Sequence, residues 1–295
     1  MHLNQPQADV YVPDGSPVEA ALAHTTHIAV GAHPDDLEFM SWHPILECFD
    51  DPERWFTGVT VTDGRSCPRS GPYSRYTDDQ MSEVRRKEQR HAAVLGGYSA
   101  VATLMYSEQG PEIGGPELDR IAEDLEELIR AARPQVVWTH NLADRHDHHI
   151  AVVTATLRAL RRLGPEYRPR CFYGCEVWGS LDWLPLDEKR TFDVSAHRNL
   201  TAALMGVYDS QITGGKRYDL ATSGRKWANA TYNDPHRTDE AVSLEYAMDL
   251  MPLLEEPELA PRDYVQRLIR KMANRIDERL RLLEGDSDRG SGDSG

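Results

Sequence analysis

The sequence predicts an α/β sandwich on a mostly parallel sheet, and three observations carry that expectation. Apolar, β-rich runs alternate with amphipathic helical runs throughout residues 25–180, the mark of successive strand–helix–strand units. Turn formers and helix stops punctuate them: Asp63-Gly64 closes one strand and Gly96-Gly97 one helix. Two histidine-bearing segments, 33–36 and 140–149, each follow the carboxyl end of a predicted strand, which is where open parallel sheets bind ligands.

Residues 1–24 are polar, with scattered Pro and Gly, and read as an N-terminal arm with a short helix near Val18–Ala23. The first strand is the run 26–31, Thr-His-Ile-Ala-Val-Gly, and the second is 57–62, Thr-Gly-Val-Thr-Val-Thr. Residues 65–78 have no apolar period and read as a long loop, whose Arg65, Arg69, Tyr73, Arg75 and Tyr76 are placed to rim a crevice. Met81, Val84, Glu88, Ala92 and Leu95 recur at helical spacing. A weaker strand covers Ala100–Met105, and Leu118, Ile121, Leu125, Leu128 and Ile129 mark the next amphipathic helix. The strand 135–139 runs into His140, a helix spans about His149 to Leu163, and Cys171–Trp178 reads as a further strand. A helix near Ala196–Tyr208 precedes a Gly- and Arg-rich stretch, 213–237. The last helix, about Pro261 to Leu283, carries a stripe of Val265, Leu268, Ile269, Met272, Ile276, Leu280 and Leu283, read as docking on the domain. Residues 285–295 are expected to be disordered.

With 295 residues the chain can bury a large core without disulfides, so Cys48, Cys67, Cys171 and Cys175 read as reduced thiols. No run of 18 apolar residues is present and the N-terminus lacks a signal-peptide pattern, so neither a membrane span nor export is expected and the cytoplasm is the default location. The net charge of −15 disfavours nucleic acid and anionic membranes as partners and favours a neutral or cationic small substrate. No G-x-S-x-G and no phosphate-binding G-K-S/T order occur.

The chemistry concentrates in the two segments. In His33-Pro34-Asp35-Asp36, proline fixes a stiff corner, and His33 and Asp36, three apart at a helix start, share one face. That offers an imidazole nitrogen and a carboxylate at chelating distance and leaves Asp35 pointing elsewhere. The segment Asp144-Arg145-His146-Asp147-His148-His149 holds three histidines in four positions, one of which can supply a third ligand. Two histidines, one carboxylate and an open position describe a catalytic zinc site, with Fe2+ as the other metal such a set accommodates. Glu38, His43, His24, His27, His91, His197 and His236 read as surface residues rather than ligands.

These residues resemble the PIG-L/LmbE-like family of zinc-dependent N-acetylglucosaminyl deacetylases. Ala32–Asp36 matches its Ala-His-Pro-Asp-Asp motif, and His146–Val152 is read as its His-x-Asp-His-x-Ala-Val segment, with one departure. Thr62-Asp63-Gly64, Arg85-x-x-Glu88, Ala92-Ala93, Leu95-Gly96 and Ser210-Gln211 agree further, so the resemblance spans roughly residues 25–215. It implies a Rossmann-like three-layer sandwich with a C-terminal helical extension, one domain over 25–284. It also implies removal of an N-acetyl group from a GlcNAc-type sugar or glycoconjugate. On that basis His33, Asp36 and His149 bind zinc, Asp35 is the general base, His146 holds the oxyanion as an imidazolium or acts as an acid, and Arg85 helps bind substrate; Asp63 and Arg65, at the start of the long loop, are further substrate-binding candidates. One departure stands out: the family's Asp before the final His is replaced by His148, with Asp147 one place earlier. A one-residue slip makes His148 the ligand; His149 keeps the spacing to Ala151-Val152. The orienting acid beside the ligand is then missing from its usual place. Other readings are an amidase on another N-acyl or thiol conjugate, and a metal-dependent carbohydrate-binding protein without turnover. The substrate's identity, the native metal, self-association into a homo-oligomer and the role of residues 213–260 are not legible.

Overall fold

The computed structural model describes residues 1–107 and 116–284; the tail 285–295, expected to be disordered, lies outside the described residues. In chain order the elements begin β1 (Asp9–Tyr11), α1 (Val18–His24), β2 (His27–Gly31), α2 (Asp36–Met40), α3 (Trp42–Cys48) and β3 (Phe56–Thr62). Next come α4 (Asp78–Leu95), β4 (Ala100–Tyr106), α5 (Pro116–Ala132), β5 (Val136–His140), α6 (Asp147–Leu163) and β6 (Cys171–Cys175). The chain continues with β7 (Lys189–Asp193), α7 (Arg198–Gly206), α8 (Asp209–Ile212), α9 (Tyr218–Tyr232), β8 (Leu244–Asp249), α10 (Pro252–Glu255) and α11 (Pro261–Glu284).

One sheet holds the molecule together, in the order β1-β4-β3-β2-β5-β6-β8-β7. The middle five strands are parallel, and β1, β8 and the β8–β7 pair add antiparallel edges. Every residue of β2 and β3 is buried, as befits strands covered on both faces. Alternation then sorts them: Ile28, Val30, Val59 and Val61 face α5 and α6, whereas Ala29 and Phe56 face Leu37, Leu204 and Tyr208. Each such aliphatic side chain contributes roughly 1.5–3 kcal/mol on full burial.

The expected strands and helices up to Leu163 are present within a few residues of their predicted ends. A capping box between Thr77 and Gln80 starts α4, a Thr-x-x-Gln signal legible in the chain. The edge strands β1 and β7, the strand β8 between β6 and β7, and the helix α9 were not anticipated. The last helix corrects an expectation: Tyr264 and Leu268 are buried, but Ile276 is 46% and Leu283 83% exposed, so only the first turns dock. All four cysteines are free thiols. Among the described residues no helix is long and apolar enough to cross a membrane.

Strand order decides where a ligand can sit. β2 pairs with β3 on one side and with β5 on the other, so the connections leave β2 in opposite directions. A crevice opens at such a switch point, beyond the carboxyl ends of the two strands. The turn after β2 carries His33–Asp36, and β5 ends at His140.

Candidate metal centre and active site

The turn after β2 is tight. Gly31 leaves room for α2, since a Cβ there would lie 2.9 Å from the Asp36 Cβ. Asp35 precedes α2 with φ at 113°, a backbone conformation that costs a non-glycine residue about 1–3 kcal/mol and clusters at functional sites. Several contacts hold it there. The Asp35 N–H donates to Gln89 Oε1 at 3.3 Å, and its carbonyl accepts from Glu38 and Phe39. Arg85 Nη2 lies 2.9 Å from Asp35 Oδ2 and also donates to the Pro34 carbonyl. Asp35, expected to point away from His33 and Asp36, is thus held by Arg85. Gly64 makes the arrangement possible: its φ is +68°, and a Cβ would lie 2.8 Å from Arg85 Cδ.

Asp36 turns into a nest of imidazoles. His33 Nδ1 lies 3.1 Å from Asp36 Oδ2, His140 Nε2 3.4 Å from the same oxygen, and His149 Nε2 3.5 Å from Oδ1. Burial opposes ionisation of Asp36, but His149, His33 and His140 together outweigh it and hold the carboxyl well below its usual range. For Asp35 the balance falls the other way. Burial raises its pKa, and the Arg85 charge only partly opposes the rise.

Donor atoms of His33, Asp36 and His149 fall within 4.8 Å of one another. A second set, His33, His146 and His148, meets the same limit, so the structure brings both candidates for the third ligand close to His33. His148 Nδ1 lies 3.0 Å from His33 Nε2 and is part-exposed, whereas His149 is fully buried. The first set fits a divalent cation: it contains a carboxylate, and the buried His149 Nε2 has no hydrogen-bond partner. Such an orphaned nitrogen is costly unless something binds it.

Asp144 fills the place the departed motif left in doubt. Its side chain is fully buried with Oδ1 3.2 Å from His149 Nδ1. Backbone N–H groups of His146, Trp178 and Gly179 also donate to it. Burial would raise its pKa, but His149 and these donors hold it down at about 2. His140, to which no role was assigned, stacks on His149 at 3.7 Å and accepts the Ala32 N–H at 2.9 Å through Nε2. Burial and the neighbouring His149 push it down to about 4. His146 is likewise lowered to about 4, by burial and then by His33, His149 and His148. That surrounding opposes the imidazolium expected there. Its Nδ1 accepts the His148 N–H at 3.2 Å, so the neutral ring carries its proton on Nε2.

Glu38 corrects the surface assignment. It is fully buried, and its carboxylate accepts from Gln89 at 3.0 Å, Tyr98 at 2.7 Å and Tyr208 at 2.6 Å. Burial pushes it up to about 7. Gln89 thus ties Glu38 to the Asp35 backbone. His27, also read as a surface residue, is buried too.

The centre opens into a cavity of about 720 Å³ whose wall includes Asp35, Asp36, His146, His148, Trp178 and Tyr218. Arg85 also borders it, but Asp63 and Arg65 do not. Arg65 Nε lies 2.5 Å from Asp63 Oδ2 and Nη1 3.1 Å from Asp79. The rim near the long loop comes from Ser66, Cys67 and Pro68, while Tyr73 donates to Asp209 and Arg69 pairs with Asp78. Signals for the far wall were absent from the motifs, because Trp178, Tyr218 and Arg225 lie on a loop and a helix with no distinctive spacing.

Residues 28–160 match the model of the PIG-L family, described as GlcNAc-PI de-N-acetylase. No curated protein sequence matches the chain. Among solved structures, N,N'-diacetylchitobiose deacetylase from Pyrococcus horikoshii is 14% identical, with a TM-score of 0.60 over 78% of this chain and 85% of its own. The A40926 pseudoaglycone deacetylase Dbv21 is 19% identical, with a TM-score of 0.57 over 77% and 97%. GalB, the 4-carboxy-2-hydroxymuconate hydratase from Pseudomonas putida, is 17% identical, with a TM-score of 0.58 over 77% and 96%. At these identities the likeness is one of fold, and the fold hosts more than one reaction.

Proposed function

Taking as premise that residues 28–160 carry the PIG-L family match, we propose that the chain is a metal-dependent hydrolase removing an N-acetyl group from a GlcNAc-type sugar or glycoconjugate. The observation that carries the reading is the convergence of His33, Asp36 and the buried His149, with His33, Asp36 and Asp35 on the wall of one cavity.

His33, Asp36 and His149 would hold the metal, zinc first and iron(II) second. His149 is preferred over His148 because its set includes a carboxylate and because Asp144 fixes its ring. When bound, the ion supplies Lewis acidity to the amide carbonyl and to a water. Asp35 takes the proton of the attacking water. Its burial makes it a stronger base than a surface aspartate, and Arg85 fixes the carboxylate through Oδ2. His146, neutral with its proton on Nε2, donates to the oxyanion. Asp35 then returns its proton to the leaving amine. Trp178 and Tyr218 meet edge to face at 6.0 Å and present apolar faces to a sugar ring.

The test is release of acetate from N-acetylglucosamine compounds by the zinc-loaded protein, with Asp35→Ala and chelation as controls. Release lost in both controls supports the reading. Stoichiometric zinc with no acetate from any compound turns the assignment to another amide, to a hydratase-type reaction or to sugar binding.

A further inference from the structure

The wall facing the metal centre is basic although the chain as a whole carries −15. Arg85, Arg145, Lys216, Arg217 and Arg225 border the cavity, against two acids, Asp35 and Asp36. Both acids are already engaged, Asp35 by Arg85 and Asp36 by three histidines. Arg217 is paired with Asp219 at 2.7 Å. Among the described residues, Arg145, Lys216 and Arg225 have no ion pair with a carboxylate. They gather about one short loop. Arg225 donates to the Val177 carbonyl, and Lys216 Nζ lies 5.4 Å from the Trp178 ring centre. Arg145 follows Asp144, whose Oδ2 accepts the Trp178 and Gly179 N–H groups.

In a chain with 48 acidic and 33 basic residues, three cations face one cavity with no carboxylate among the described residues ion-paired to them. Glu176 lies within electrostatic reach of Arg225, which leaves a local positive field inside a negative molecule. Guanidinium and ammonium groups hold carboxylate or phosphate oxygens through charge-assisted bonds, and a low-dielectric cleft focuses the field. The geometry points to a substrate that bears an anionic group, phosphate or carboxylate, held by Arg145, Lys216 and Arg225 beside Trp178 while its N-acyl group reaches the metal centre. This reverses the preference for a neutral or cationic substrate drawn from total charge. It rests on the deacetylase reading and narrows that reading's substrate class.

The experiment compares kcat/KM of the zinc-loaded protein on N-acetylglucosamine, its 6-phosphate, its 1-phosphate and N-acetylmuramic acid. Binding of the same four compounds is read in parallel by calorimetry. The expected result is at least a tenfold preference for one or more charged compounds over the neutral sugar. That preference should shrink as salt is raised and collapse in the Arg145→Glu, Lys216→Glu double variant, whose folding is checked by its melting temperature. Preference for the phosphates alone, or for the carboxylate alone, identifies the anion. Equal rates and equal affinities for charged and neutral sugars overturn the inference, as does a preference that survives the charge reversal. Selective binding of a charged compound without acetate release keeps the anion site and removes the deacetylase reading, so the two can fail separately. If no compound is turned over and none binds better than the neutral sugar, the anion site is rejected too.

Discussion

Asp144 Oδ1 stands 3.2 Å from His149 Nδ1, with both side chains fully buried. The carboxylate that orients this ring therefore comes from five residues upstream, where the chain enters α6, rather than from the position before the histidine. Orienting partners of metal-ligating histidines set ring direction and basicity. Asp144→Ala is expected to weaken zinc binding by about 10–100-fold, measured by competition with a chromophoric chelator. An unchanged affinity would show that Asp144 only supports the loop to Trp178.

Asp35→Ala should abolish turnover while leaving bound zinc stoichiometric. Comparison with Asp35→Gly isolates the backbone. Both variants lose the carboxylate and its ion pair with Arg85, but glycine accepts a φ of 113° freely. The glycine variant should be more stable than the alanine variant by about 1–2 kcal/mol, read from urea titrations. Equal stabilities would mean that the turn relaxes when the side chain is shortened.

Chelation should remove activity, and zinc should restore it. The proposed ligands follow two different strands, β2 and β5, so a bound ion should also stabilise the fold, by about 2.7 kcal/mol at a free concentration 100 times its Kd. The zinc-dependent rise in melting temperature should disappear in Asp36→Asn. A rise of the same size in that variant would place the ion elsewhere, for instance on His33, His146 and His148.

Glu38 makes stability depend on pH. Its folded-state pKa of about 7 lies above the ordinary 4.5. The stability tied to its protonated form is therefore complete below about 4.5 and is lost as pH rises through about 7. Relative to Glu38→Gln, the metal-free wild type should lose roughly 3 kcal/mol between about pH 4 and about pH 8. Parallel melting curves for the two proteins across that range would rule the effect out.

The parallel strands were legible because both faces of each are covered, which leaves continuous apolar runs such as 26–31 and 57–62. The approach of His33 to Asp36 was legible because residues three apart at a helix start share one face. Glu38 was missed because a single carboxylate in a short helix carries no signal; its burial depends on Tyr98 and Tyr208, 60 and 170 positions away. Asp63 and Arg65 were given to substrate because a turn that supports a site looks, in one dimension, like a turn that touches the ligand. The antiparallel strands β7 and β8 pair through partners distant in sequence and interrupt no periodic pattern. Total charge misled in the same way: a sum over 295 residues does not say which side of a cavity wall the cations occupy.

The cavity draws its floor and its far wall from different lengths of chain. The proposed ligands and base lie between residues 33 and 149, inside the matched segment 28–160, whereas Trp178, Lys216, Tyr218 and Arg225 come later. On the proposed roles, the reaction rests on the matched segment, whereas substrate choice draws on both that segment, through Arg145, and the later wall. Substitutions after residue 160 can alter that later wall while the proposed ligands and base stay untouched. Two proteins with the same 28–160 segment need not share a substrate.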